Sequence, residues 1–570
     1  MNQKIRIYQL LPRTFTNTCA VPVYNGTLEQ NGTGKFEDLN EYLLSELRDF
    51  GMTHIWLAGI IRHSTSTDYS QFGLTASHPD ILKGKAGSPY AIRDYYDLDP
   101  DLATFVPDRM QEFTALLDRI HHLALKVLID FVPNHVSRDY HSGLKPNNLK
   151  DLGELDNRDT SFHPNNNFYY LPGQPLKLGT FYENPAKATG NDVFNPSPGR
   201  DDWYETVKLN YGVNYVSGTS HFDPVPDTWI KMTDILLFWA SKGVDGFRCD
   251  MAGMVPVSFW GYAISRIKNI YPDLIFIAEI YEPHRYRDYL EVGGFDYLYD
   301  KEGLYNTLRT VITDNATTLN ISKVWKNLEG MDAQMLRFLE NHDEQRIASR
   351  FFAGDPWKGL PALAVASLMN TGPVLIYAGQ ELGEKAEGAS GFSGDDGRTS
   401  IFDYTSIPAV REWFQNLRKE ETSAGNSAIR LRQQYQELLA WSDNQVVTNG
   451  AFYDLMWANE DNPEIDKIYA FLRYAPVTPE ARDKDRLTLG LRIWMIVAAF
   501  DSGIDQVKVR IPLHAIQLLG LTSQNRFEFS FLKPAIDKRL NLLASQVITS
   551  GVTVSFDSAG YAIAECFFPD

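Results

Sequence analysis

Cysteine is scarce in this chain, with three among 570 residues: Cys19, Cys249 and Cys566. They are odd in number, far apart and form no CxxC pair, which argues against a disulfide framework or a cysteine zinc site. Long apolar runs are missing as well. None reaches the ~18–20 residues that a membrane-spanning helix needs. The opening MNQKIRIYQLLPRTF reads as a strand, with no apolar leader behind its charges. These absences predict a cytoplasmic protein with no membrane partner. Excess positive charge is lacking too. The formal net charge is −18, whereas nucleic acid or an anionic membrane asks for clustered Lys and Arg. There is no internal repeat and no low-complexity tract. No glycine-rich phosphate turn follows the first strand, where Leu11-Pro12-Arg13-Thr14 stands. That argues against a doubly wound nucleotide-binding sheet.

What is present is the composition of a globular protein, 44% hydrophobic and 22% charged. The length suggests about three domains. Aromatic residues reach 13%, a share that suits either large cores or sugar platforms. Short β-rich runs fall at 4–11, 53–60, 126–132, 244–249, 274–280, 295–298, 334–340 and 373–378. Amphipathic helical patterns lie between most of them, at 36–50, 110–124, 228–242 and 361–369. Eight strands alternating with helices predict a closed (β/α)8 barrel over 1–138 and 226–445. The stretch after the third strand is far longer than ordinary connections of about 2–6 residues. It is rich in Asn, Pro, Gly and Tyr and reads as an inserted domain over 139–225. Beyond the helix at 427–441 the pattern turns to alternating strands, at 467–473, 492–500, 506–511 and 552–556. These predict a C-terminal antiparallel β-sandwich domain over 446–570.

The strand ends carry the chemistry. Residues i and i+2 of a strand face the same side, so Asp130 and Asn134 share a face, as do Arg248 and Asp250, with Cys249 turned away to pack. The fifth strand ends in Glu279, and the seventh runs into His342-Asp343. Barrel active sites are assembled at these C-terminal ends. Retaining glycoside hydrolysis needs two carboxyls about 5–5.5 Å apart, one ionised nucleophile and one proton donor. An arginine beside Asp250 would favour its ionised form.

At this point the chain resembles glycoside hydrolase family 13, the α-amylase family, over nearly its whole length. The matching motifs are DFVPNH at 130–135, GFRCD at 246–250, FIAE at 276–279 and ENHD at 340–343, in the family's order and spacing. Ser88-Pro89-Tyr90 looks like the segment that supplies a stacking tyrosine. Lys208-Leu209-Asn210 looks like the family's fifth motif, in the inserted domain B. The resemblance implies that Asp250 is the nucleophile, Glu279 the general acid/base and Asp343 the transition-state stabiliser. It implies that Arg248, His135, His342 and Asp130 support the −1 sugar, with Tyr90 stacked on it. Glu344 and Arg346 become candidates for the acceptor side. The expected activity is hydrolysis of α-1,4-linked glucans or maltooligosaccharides. Glucan or maltosyl transfer uses the same residues, and a catalytically inactive binding subunit is the reading from another class. All seven polar positions are filled, which argues against that last reading.

Two departures matter. Gly253-Met254 stands where many amylases have Lys-His, a pair that holds glucan on the leaving-group side and supplies a calcium contact. Asn134 matches a calcium ligand of amylases, but calcium needs about six to eight oxygen ligands, and neither an acidic loop near 17–34 nor any other such set can be assembled from the sequence. No cofactor is therefore expected to be required, with calcium the one candidate. The loop at 384–398 is glycine-rich and reads as flexible, with a lid as the alternative. The oligomeric state is not legible.

Overall fold

The computed structural model describes residues 3–388, 391–418, 427–476 and 491–568. Its centre is a closed barrel of eight parallel strands. In chain order they are Arg6–Leu10, His54–Leu57, Lys126–Phe131, Gly246–Cys249, Ile275–Ala278, Tyr297–Tyr299, Met335–Phe338 and Val374–Tyr377. Each lies inside a run expected from the sequence, or overruns it by a single residue. Helices including Glu41–Asp49, Arg109–His122, Asp227–Ser241, Val257–Lys268 and Leu360–Leu368 return the chain between them.

Alternation along each strand sorts the side chains into two cores. Ile7, Trp56, Leu128, Ile277, Leu336 and Leu375 fill the barrel interior. Their neighbours, such as Ile55, Phe131, Phe247, Cys249 and Phe276, point outwards into the packing between strands and helices. Cys249 thus packs away from the cleft, as its position between Arg248 and Asp250 predicts. The helix Leu360–Leu368 is buried on all sides. Such a helix must be covered on both faces, and this one lies between the barrel and the C-terminal sheet.

Between the third strand and the helix Asp227–Ser241 the chain forms short antiparallel pairs. His135–Ser137 pairs with Thr206–Lys208, Tyr170–Leu171 with Ala186–Lys187, and Leu176–Leu178 with Phe181–Glu183. Asn and Asp side chains supply the hydrogen bonds that longer ladders would otherwise make. Asp156 accepts from the backbone N–H of Asn167 (2.7 Å) and of Phe168 (3.0 Å). Asn210 donates to Asn166 O (2.9 Å). This is why an Asn-rich stretch can be ordered without long strands.

The C-terminal domain is a six-stranded antiparallel sheet plus the antiparallel pair Gln506–Val509 and Val552–Ser555. Val507, Val509, Val552 and Val554 share a core with Phe527 and Phe529. Four of its strands, Ala451–Asp454, Arg526–Lys533, Ile536–Leu543 and Tyr561–Phe567, lie outside the runs expected from the sequence. Among the described residues, no helix is long and apolar enough to cross a membrane.

Candidate active site

Arg248 is fully buried at the C-terminal end of the fourth strand. Register sets its neighbours: Arg248 lies beside Asp130 on the third strand and Ile277 on the fifth. Its Nη1 lies 2.9 Å from Asp250 Oδ1 and 3.4 Å from Asp130 Oδ1. Its Nη2 lies 2.7 Å from Glu279 Oε1, and Nε donates to the Tyr299 hydroxyl at 3.1 Å. The rings of Trp56, Tyr90 and Tyr299 surround the guanidinium at 5.3, 5.5 and 5.5 Å. Only a permanently charged planar fork can hold two carboxylates side by side in this way.

Above this fork lies a cavity of about 290 Å³, lined by Tyr90, His135, Asp250, Glu279, His342 and Asp343. Six of the eight residues expected from the sequence therefore meet at one place. Arg248 and Asp130 do not line the cavity. They lie directly behind it, with Arg248 between Asp130 and Asp250.

Asp250 Oδ1 is held by Arg248, while Oδ2 is buried with no partner. Burial and then the Glu279 charge push the Asp250 carboxyl well above the usual range, and Arg248 opposes them. Burial also raises Asp130, to about 6, against the pull of Arg248. Glu279 accepts from the Tyr281 hydroxyl and the Met251 backbone N–H, each at 2.6 Å. Met251 takes the left-handed conformation (φ 44°, ψ 39°) that aims this N–H.

The His342 ring stacks on Tyr90, with centroids 5.1 Å apart. Gln9 Nε2 meets Nδ1 at 2.7 Å. An amide nitrogen only donates, so Nδ1 accepts and Nε2 carries the proton. That proton faces the Tyr90 hydroxyl (2.5 Å) and Asp343 Oδ2 (3.1 Å). Burial, then the charge of Arg248, lowers the His342 pKa to about 3. Burial, then Lys208, does the same to His135. Both imidazoles are thus neutral hydrogen-bonding groups at physiological pH.

A family model for the α-amylase catalytic domain matches residues 9–445. The chain belongs to the α-amylase family. Maltase 1 of Drosophila virilis is 27% identical over 251 residues, which is 43% of this chain and 30% of that protein. A cyclomaltodextrin glucanotransferase of Bacillus sp. (strain 1011) is 25% identical over 418 residues, 70% of this chain and 50% of that protein. The chain thus spans half or less of the length of these two relatives. The solved α-amylase of Geobacillus thermoleovorans, complexed with acarbose, shares the fold at TM-score 0.61 and 16% identity, covering 99% of this chain and 98% of that one. The relatives named are thus a maltase, a glucanotransferase and an α-amylase.

Other residues at the mouth of this α-amylase-family barrel were not found from sequence. Lys83, Trp203, Glu205, Tyr281, Ile401 and Phe402 also line the cavity. Tyr281 follows Glu279 by two residues, just past the end of the strand Ile275–Ala278, and reaches back to it through its hydroxyl. The others come from loops, and no spacing rule brings loops together. Arg346, expected on the acceptor side, is instead buried in an ion pair with Glu340 (2.9 Å). Glu344 accepts from Tyr305 at 2.7 Å and pairs with Lys301 at 3.2 Å.

Asn134 does not fit a calcium site. Its Oδ1 accepts from the buried Lys208 ammonium, which also lies 2.8 Å from Asp192. The cation there is part of the chain. Of the glycine-rich loop, Ala389 and Ser390 lie outside the described residues. Phe392, further along, is tied to Asp403 and to Arg200.

Proposed function

We propose that the protein is a retaining α-glycoside hydrolase acting on α-1,4-linked glucans or maltooligosaccharides. The observation that carries this reading is the single Arg248 fork. It grips Asp250 and Glu279 together and leaves Asp250 Oδ2 buried and unpartnered, in a residue that lines the cavity. Two carboxyls on one guanidinium suit the close spacing of retaining enzymes, about 5–5.5 Å.

In this reading Asp250 Oδ2 attacks the anomeric carbon of the bound sugar. The bond to the leaving oxygen breaks, and that oxygen takes the proton of Glu279. A glycosyl ester on Asp250 results. Water then gives a proton to Glu279 as its oxygen attacks the same carbon, and the ester bond breaks. Burial and like charge hinder ionisation of both carboxyls at once, which favours a nucleophile–acid pair. Asp343 and the neutral His342 face the sugar hydroxyls, and Tyr90 offers its ring.

We also infer that no calcium is required at Asn134, because the Lys208 ammonium supplies the positive charge. The test of the main reading is incubation with maltoheptaose and separation of products by chromatography. Shorter sugars alone are expected. Products longer than seven units would replace hydrolysis by glucan transfer. Unchanged maltoheptaose would overturn the substrate class.

A further inference from the structure

The cavity wall that carries none of the strand-end carboxylates comes from two segments far apart in sequence, 82–86 and 203–206. Lys83 Nζ and Glu205 Oε1 meet there at 2.8 Å, and both residues line the cavity. The neighbours of Lys83 face elsewhere. Leu82, Gly84 and Lys85 line a separate open groove of about 930 Å³, with Arg200 and Phe392. Segment 82–86 is therefore a partition, one side chain inward and its neighbours outward.

This partition is fastened firmly. Ala86 N–H donates to Phe402 O (3.1 Å), and the Tyr204 hydroxyl donates to Leu82 O (3.1 Å). Gly84 lies so close to Phe402 that a Cβ would stand 2.1 Å from its carbonyl oxygen. Arg200 lies 4.4 Å over the Phe392 ring, and Phe392 packs edge-on against Phe402 at 5.2 Å. The insertion and the loop after the eighth strand are thereby joined across this end of the site.

Glu205 is 4% exposed, and its second oxygen, Oε2, is buried with no partner. A buried carboxylate oxygen without a donor is costly. Sugar hydroxyls are the donors that a glucan brings. The adjacent ammonium of Lys83 can donate to the next hydroxyl oxygen, so the pair matches two vicinal hydroxyls. The leaving group departs past Glu279, whose partners Tyr281 and Met251 mark that side. Lys83 belongs to the partition instead, and Glu205 is paired with it.

We propose that the Lys83–Glu205 pair reads free hydroxyls on the terminal sugar of the chain, and that the partition makes the enzyme attack from the non-reducing end. This rests on the hydrolase reading above. A cavity of about 290 Å³ is at the small end for ligand sites, about 300–1,000 Å³, and suits a chain end better than a passing polymer.

The test compares maltotetraose with the same chain carrying a 4,6-O-ethylidene cap on its non-reducing sugar. Wild type should cleave the capped chain roughly 100-fold more slowly or worse. Glu205→Gln and Lys83→Ala should raise KM for the uncapped chain by about 10- to 100-fold, with smaller changes in kcat, and should narrow the gap between the two chains. Equal cleavage of both chains by wild type overturns the proposal without any variant being needed. So does a wild-type KM in folded Glu205→Gln. If neither chain is cleaved, the hydrolase reading itself fails and takes the proposal with it.

Discussion

Arg248 donates to Asp250, Asp130 and Tyr299 and pairs by charge with Glu279, and its charge opposes burial at Asp250. Burial and the Glu279 charge raise the Asp250 pKa, while Arg248 lowers it. Arg248→Gln removes the lowering influence, so Asp250 needs a higher pH to ionise. The acid limb of kcat/KM against pH should therefore move upward, and activity at neutral pH should fall. A limb that stays put would mean another group titrates there. Glu279→Gln is the complementary case. It should cut hydrolysis of maltooligosaccharides by about 10²–10⁴-fold. An α-glucoside with a good leaving group should still form the covalent intermediate at near its normal rate, since that group needs no proton. Burst kinetics on such a substrate check this, and equal losses on both substrates would remove Glu279 from the acid role.

At the scale of elements, the fourth strand depends on a residue with no side chain. A Cβ on Gly246 would sit 2.4 Å from Ile275 O and 2.6 Å from Ile275 Cγ1 on the neighbouring strand. Gly246→Ala should overpack that seam and cost about 1–3 kcal/mol, read from urea denaturation. The loss should also reach activity, because this strand carries both Arg248 and Asp250. The pairing of His135–Ser137 with Thr206–Lys208 is held in a different way. Burial pulls the Lys208 ammonium below the usual lysine range, and Asp192 opposes that pull. Lys208→Met leaves Asn134 and Asp192 short of a donor and should cost about 1–3 kcal/mol. A chelator should leave the wild-type thermal midpoint where it was. A midpoint that falls on chelation and recovers with added calcium would contradict the built-in ammonium.

Across the whole molecule, the C-terminal sheet is joined to the barrel by the buried side chain of Arg473. Its guanidinium donates to Met369 O (2.9 Å), Val447 O (2.6 Å) and Gly450 O (2.7 Å). Burial, with the charge of Arg337, lowers its pKa to about 10, so it stays charged at neutral pH. Arg473→Met should leave these carbonyls unpaired and cost about 2–4 kcal/mol. The expected outcome is a lower thermal midpoint with unchanged kcat per folded molecule. A lower kcat at full folding would show that the sheet acts on the site as well as on stability.

The barrel and its carboxylates were legible in the sequence because their causes are local. Alternation over two residues fixes which side chains of 246–250 point inward, and the order of eight strands fixes the rim on which Asp250, Glu279 and Asp343 stand. The segment 526–533 alternates by the same rule, but a short alternating run looks alike in a strand and in a surface loop. Three features were decided only by the tertiary structure. Arg248 and Asp130 stand behind the site, Lys208 takes the place of a cation, and Lys83 meets Glu205 at a partition. Each joins segments through contacts that chain spacing does not encode. Closing such loops is governed by packing and hydrogen bonding across the whole fold, so the sequence determined the chemistry available and the tertiary structure decided where the cavity ends.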